Sequence, residues 1–141
     1  MSPAYAPSTA SLPITQVRRG DLPVPVWNNE NPLTGTKSQA VNIQVSGGVN
    51  DAAGGSYVSI RGTFSAAPGA FTIQVQTADQ DVDAAYVSEN FGGATPGTIT
   101  TVNANNSFSV ELIPIAARFI RLLMVLQNAN AVNLTATISR G

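Results

Sequence analysis

The 141-residue chain contains no cysteine and no histidine. Without cysteine it can form neither disulfide bonds nor thiolate metal sites. Without histidine it lacks the commonest general base and the commonest metal ligand. A catalytic site would then need paired carboxylates or a serine–lysine pair, and the only lysine is Lys37. The sequence therefore predicts a protein that is not an enzyme and that binds no cofactor.

Charge is also scarce, because charged residues make up only 11% of the chain and the net charge is −1. The usual charged share is about 25%, so serine, threonine, asparagine and glutamine must form much of the polar surface. This balance gives no electrostatic reason to bind nucleic acid or an anionic membrane. No stretch reaches the roughly 20 apolar residues of a membrane-spanning helix. Residues Met1–Tyr5 also lack the basic start of a signal peptide.

The longest apolar run is Ala117–Leu126, which is interrupted only by Arg118 and Arg121. Read as a strand, the run is mostly apolar on both faces, so both faces should be covered. The core of the domain covers one face, and either the N-terminal segment or another protein covers the other. A lone buried charge is costly, so Arg121 should lie near the rim or have a carboxylate partner. The two faces carry Ile120, Leu122, Met124 and Leu126, and Phe119, Arg121, Leu123 and Val125.

Short segments of alternating apolar and polar residues follow one another from residue 40 to the C-terminus, and no helical pattern occurs among them. With the apolar run they make about eight strands. The pattern predicts an all-β domain over residues 40–141, an antiparallel two-sheet sandwich of jelly-roll type. The other strands are expected at Val41–Ser46, Tyr57–Phe64, Phe71–Gln76, Ala85–Phe91, Thr98–Val102, Ser107–Ile113 and Val132–Ser139.

Residues 1–39 differ from the rest of the chain, because six of the nine prolines lie there. Proline removes a backbone donor and keeps its neighbour extended, so this segment is predicted to be an extended N-terminal arm. Ordering its backbone costs roughly 1–2 kcal/mol per residue, more than its few apolar anchors return. Backbone pairing must add to them. We expect the arm to lie across neighbouring subunits, and the alternative is an arm that wraps only its own sandwich.

Two further motifs suggest ligand sites. Asp79, Asp81 and Asp83 have the spacing of carboxylates in a calcium loop, but Ala84 stands where a glycine is needed. The sequence favours an exposed acidic connection over a calcium site. Trp27, the only tryptophan, suits either a sugar-stacking platform or an interface anchor. Its place in a proline-rich arm favours the anchor.

Three segments together resemble small structural proteins of tailed-phage virions, and most closely the jelly-roll capsid cement or decoration proteins. The segments are Phe71–Asp79, the Val110-Glu111-Leu112 strand and Ala117–Leu122. In that group an aromatic-aliphatic-Arg-Leu strand follows a strand of this type after a short proline-bearing link. The resemblance covers about residues 60–141 and leaves residues 1–39 unmatched. It implies a jelly-roll fold and a place on the capsid exterior.

The chain departs from that group at Leu123 and Val125, where the group usually carries polar residues. The departure indicates additional coverage of this face. We therefore expect a structural virion protein that binds the major capsid protein and neighbouring copies of itself, as a homo-oligomer on the particle. The alternatives are a neck, tail or head-fibre component, or a carbohydrate-binding sandwich that uses Trp27, Tyr57 or Tyr86. The residues expected to contact a partner are Leu12, Ile14, Val24, Val26, Trp27, Phe119, Arg121, Leu123 and Val125.

Overall fold

The computed structural model describes residues 15–17, 22–43, 56–89, 97–115 and 117–140. Within these ranges lie ten strands and one 3₁₀ turn, η1, and no helix among them is long and apolar enough to cross a membrane. In chain order the elements are β1 (Thr15–Gln16), β2 (Val24–Glu30), β3 (Val41–Asn42), β4 (Ser56–Phe64), β5 (Thr72–Ala78), η1 (Asp83–Ala85), β6 (Val87–Ser88), β7 (Thr98–Ile99), β8 (Ser107–Ile115), β9 (Phe119–Leu126) and β10 (Leu134–Arg140).

The strands form two sheets with jelly-roll connections. The four-stranded sheet has the order β2-β10-β4-β8, and the larger sheet has the order β1-β3-β9-β5-β6, with β7 also paired to β5. Eight of the ten strands are the principal strands, and these are β2, β3, β4, β5, β6, β8, β9 and β10. Among them β2 pairs with β10, β3 with β9, β4 with β8 and β5 with β6. This nesting of two Greek keys is the jelly roll. The predicted antiparallel sandwich is therefore confirmed, with short β1 as a parallel addition to β3.

The inner faces of the two sheets meet in one apolar core. On β9 the inward side chains are Ile120, Leu122 and Met124, and all three have no exposed surface. On β10, Leu134 and Ile138 face them from the opposite sheet and are equally buried. Burying an aliphatic side chain of this size contributes about 1.5–3 kcal/mol, so these strands supply a large part of the stability.

Residues 22–39, which the sequence assigned to an arm, belong to the sandwich itself. Strand β2 pairs with β10, and Trp27 lies opposite Ala136 with only 1% of its surface exposed. The segment then crosses to the other sheet, where Gly35 N donates to Met124 O and Ser38 N donates to Leu122 O. The expected boundary between residues 39 and 40, and the arm laid over neighbours, are thus corrected for these residues. Backbone hydrogen bonds with the chain's own two sheets supply the stabilisation that the apolar anchors of this segment could not supply alone.

Asparagine side chains hold the loops at one end of the sandwich. Asn128 is 2% exposed and both accepts from Val132 N and donates to Val132 O, which closes the loop between β9 and β10. Asn29 and Asn106 adopt positive φ angles, which asparagine tolerates better than most residues. The high asparagine content is therefore a structural property of these turns.

Three expected strands are shorter than the alternation suggested. The segment Val41–Ser46 contains only β3, and residues 44–46 lie outside the described ranges. The segment Ala85–Phe91 contains only β6, because η1 takes up its start, and residues 90–91 lie outside the described ranges. The segment Thr98–Val102 contains only β7, because the chain leaves the larger sheet after Ile99 and crosses to the smaller one. Alternation marks which side chains face inward, and it does not show where backbone pairing stops.

Three phenylalanine rings fill the core beside the turn that precedes β8. Phe64, Phe71 and Phe108 lie 4.9–6.1 Å apart between ring centroids, in tilted arrangements. Phe108 is paired with Gly62 across the sheet, and a Cβ atom at Gly62 would lie 2.1 Å from Cζ of the Phe108 ring. The ring occupies the space that a side chain at residue 62 would need.

We predict that Gly62→Ala lowers the free energy of unfolding by about 1–3 kcal/mol, because the Phe108 ring must leave its packed position. Urea unfolding of the purified protein measures the change. In the double variant Gly62→Ala/Phe108→Ala the collision is absent, so its loss should be smaller than the sum of the two single losses. A Gly62→Ala protein as stable as the wild type would contradict this account.

Candidate functional site

The outer face of the larger sheet carries four of the residues that the sequence singled out for partner contact. On β9 these side chains are Phe119, Arg121, Leu123 and Val125, which alternate with the core residues. The two ends of this face differ. Phe119 and Arg121 are 9% and 7% exposed, whereas Val125 is 42% exposed. The face is therefore closed at the start of β9 and open at its end.

Arg121 closes the first half through contacts with the segment between β5 and β6. Its Nη1 donates to Asp83 Oδ1 at 2.7 Å, and its Nε donates to Gln76 Oε1 at 2.9 Å. Its Cζ lies 3.7 Å from the centroid of the Tyr86 ring, which is a close cation–π contact. Tyr86 in turn donates to Asp81 Oδ1 at 2.6 Å. We call Gln76, Asp81, Asp83, Tyr86 and Arg121 the arginine cluster.

The expectation that Arg121 has a carboxylate partner is confirmed by the ion pair with Asp83. Lys37 lies 3.9 Å from the other oxygen of the same carboxylate. The hydrogen bond from Arg121 and the charge of Lys37 lower the pKa of Asp83 below its ordinary value of 3.8. Burial and the bond to Asp81 raise the pKa of the Tyr86 phenol, so this hydroxyl stays protonated. The cluster fixes a loop over the sheet, and Phe119 packs with Ala78 and Tyr86 beneath it.

These bonds also account for the acidic loop. Asp81 accepts from Tyr86 and Asp83 pairs with Arg121, so two of the three spaced carboxylates serve structural bonds. Among the described residues no group of three or more acidic side chains converges on a point where a metal ion could bind. Asp81 and Asp83 are part of the connection between β5 and β6 and are held there by these bonds.

The residues expected to contact a partner fall into three groups. Val26, Trp27, Phe119 and Arg121 are covered by their own chain, so the expectation of partner contact is corrected for these four. Val24 and Leu123 are half-buried, and Val125 is exposed. Leu12 and Ile14 lie outside the described residues.

Several exposed apolar residues were not among the expected contacts, and two of them lie beside Val125 at the end of β9. Leu33 is 60% exposed and Leu126 is 47% exposed. The loop of Leu33 lies against the end of β9, because Thr34 Oγ1 accepts from Gln127 N at 2.9 Å. We call Leu33, Leu123, Val125 and Leu126 the apolar end. Alternation could not reveal Leu33, because its place depends on the bond of its neighbour Thr34 to Gln127, 93 positions later along the chain.

The aromatic residues considered for sugar stacking are placed differently from one another. Trp27 is buried in the core, and the Tyr86 ring is covered by Arg121. Neither ring presents a face to a ligand, so these two are corrected as stacking platforms. Tyr57 remains 48% exposed on β4. Comparison of the chain with protein-family models, with curated proteins and with solved structures found no significant match.

We predict that Asp83→Asn destabilises the protein slightly at neutral pH, because the carboxylate is largely exposed, and has little effect in acid. The folded state lowers the pKa of Asp83, so the carboxylate stabilises the fold above about pH 4. This contribution disappears as the pH falls through the lowered pKa. The measurement is urea unfolding of wild type and variant between pH 2 and 7.

Asp79→Asn is the control, because Asp79 is exposed on the same loop and forms no ion pair with a described residue. A difference between wild type and Asp83→Asn that stays constant with pH would contradict the prediction.

Proposed function

We propose that this protein is a non-enzymatic structural component of a tailed-phage virion, a cement or decoration subunit that binds the capsid exterior through its apolar end. Its partners in this proposal are the major capsid protein and neighbouring copies of the same chain. Neither nucleic acid nor a membrane takes part.

The observation that carries the proposal is the apolar end itself. Leu33, Val125 and Leu126 are 60%, 42% and 47% exposed at one end of one sheet. Isolated exposed apolar residues need no explanation, but a group of them does. The surrounding groups are neutral and polar, as at Thr34 and Gln127. An apolar centre with a polar rim is the usual composition of a protein–protein interface.

The fold supports the same proposal by analogy. Jelly rolls occur in viral capsid proteins and in lectins, so the architecture alone fits more than one role. The low charge of the chain adds weight to an assembly role, because charged residues are depleted at the centres of interfaces. Three of the described carboxylates are engaged in side-chain bonds: Asp81 to Tyr86, Asp83 to Arg121 and Glu111 to Arg61.

We predict that the double variant Val125→Asp/Leu126→Asp no longer occupies capsids, because two carboxylates would be buried without partners in the interface. Both side chains are exposed, so the isolated variant should keep the stability of the wild type to within about 0.5 kcal/mol. Occupancy is measured by sedimentation of capsids with added protein, followed by quantification of the bound chain.

Val87→Asp is the matched control, because Val87 is 63% exposed and lies on β6 at the opposite end of the same sheet. It should bind capsids as the wild type does. Normal occupancy by the double variant would refute attachment through the apolar end. The same attachment would serve a neck, tail or head-fibre component, and the number of copies per particle separates these locations from a capsid-wide cement protein.

A further inference from the structure

A second surface arises where the turn Asn103–Ser107 joins two segments that belong to different sheets. Asn103 N donates to Ser107 O at 2.8 Å and closes the turn. Beyond it the segments separate, because β7 pairs with β5 in the larger sheet and β8 pairs with β4 in the smaller one. They leave a groove of about 440 Å³, which we call the wedge. Its lining residues are Thr98–Asn103 and Ser107–Val110.

The first wall of the wedge has unpaired backbone groups. Thr100 and Thr101 are exposed and Val102 is half-buried. In the part of the chain that the structure describes, the N–H and C=O groups of these three residues form no hydrogen bond. Backbone groups of this kind are satisfied by water or by a ligand. The extended wall from Thr98 to Val102 would be about 16 Å long at strand spacing.

The second wall is an open strand edge. Phe64 N donates to Asn106 O, which sets the alternation of the antiparallel ladder between β4 and β8. Phe108 follows Asn106 by two residues, so its backbone N–H and C=O groups also point towards β4. The N–H and C=O groups of Ser109 therefore point away from β4, towards the free edge. Strand β8 has no second partner strand within the described ranges.

This part of the edge lacks the usual protection against pairing. Natural proteins guard sheet edges with proline, charged side chains or bulges. Thr98–Val110 contains neither a proline nor a charged residue. The other edges of the smaller sheet are guarded, since β2 carries Pro25 and the far half of β8 carries Glu111 and Pro114. Among the described edges of the smaller sheet, the wedge is therefore the one where a further strand meets neither a proline nor a charge.

The side chains of the wedge favour a peptide over an oligosaccharide. We call its apolar lining residues the floor, and these are Ile99, Val102, Phe108 and Val110; the other lining side chains carry hydroxyl or amide groups. The only aromatic ring, Phe108, is 6% exposed and packs over Gly62, so it offers no face on which a sugar could stack. An extended peptide would direct every second side chain to the apolar floor and the others to solvent. A lining without charge suits an uncharged segment.

We infer that the wedge binds an extended, uncharged peptide segment of a partner protein by strand addition to β8, with apolar residues at alternate positions of that segment. Such addition takes its affinity from backbone hydrogen bonds and its specificity from the pockets for alternate side chains. The inference goes beyond attachment through the apolar end, and its test requires no capsid. Failure of one therefore leaves the other standing.

The probe is a phage-displayed library of random octapeptides without charged residues, selected on the immobilised protein. Enriched peptides should alternate β-branched or aliphatic residues with polar ones. Added to the ¹⁵N-labelled protein, they should shift the amide signals of Thr100–Val102 and Ser109. Binding at other amides, or no enrichment at all, would overturn the inference. A panel of neutral oligosaccharides is tested in parallel, and binding of a saccharide but not a peptide at these amides would also overturn it.

Thr101→Pro removes one backbone donor of the wall, and Thr101→Glu places a charge on it without changing the backbone. Both should weaken peptide binding about tenfold or more, which corresponds to the loss of one hydrogen bond or the burial of one charge. Ala104→Glu is the control, because Ala104 is exposed on the adjoining turn and does not line the wedge. Equal loss of binding in Ala104→Glu and Thr101→Glu would show a general charge effect and count against strand addition.

Discussion

Strand β9 carries apolar side chains on both faces, whereas a two-layer sandwich buries only one face of each of its strands. The inner face packs in the core through Ile120, Leu122 and Met124. The outer face needs a separate cover, and the chain supplies it over the first half of the strand only. There Arg121 fastens the segment of Asp83 and Tyr86 over the sheet, with Phe119 beneath. Because Asp83 is largely exposed, its ion pair with Arg121 alone adds little to the stability of the fold. The Tyr86 ring stacked on Arg121 and the hydrogen bond from Arg121 to Gln76 also hold the segment in place.

The wedge follows from the same topology. In a jelly roll the fifth and sixth principal strands, here β6 and β8, lie in different sheets. The chain between them must therefore cross the open side of the sandwich. Here the crossing begins at Ile99, and the turn at Asn103 closes it before β8 starts. The two sheets stand about 10 Å apart, which is too far for direct backbone pairing across the gap. Unpaired backbone on both walls is thus a consequence of where the strands end.

Much of the fold follows from the sequence, because alternation identifies inward-facing residues without knowledge of their partners. The long strands β4, β5, β8, β9 and β10 were anticipated within a few residues of their observed bounds. The need of Arg121 for a carboxylate was also foreseeable, since a buried lone charge is too costly. The role of Trp27 was not. Proline-rich surroundings suggested an arm, but long-range pairing of β2 with β10 places this ring in the core. Pairings between residues about a hundred positions apart leave no local signal.

The apolar end and the wedge lie at the same end of the sandwich. Leu126 is paired with Thr72 at the start of β5, and β7 is paired with Ile73 and Gln74 on the other side of that strand. The two surfaces are therefore separated by about two strand spacings, or roughly 10 Å across the sheet. A single partner could cover the apolar residues and also place an extended segment in the wedge. The affinities of two linked contacts reinforce each other when one molecule spans both, so weak contacts at each surface would suffice for firm attachment.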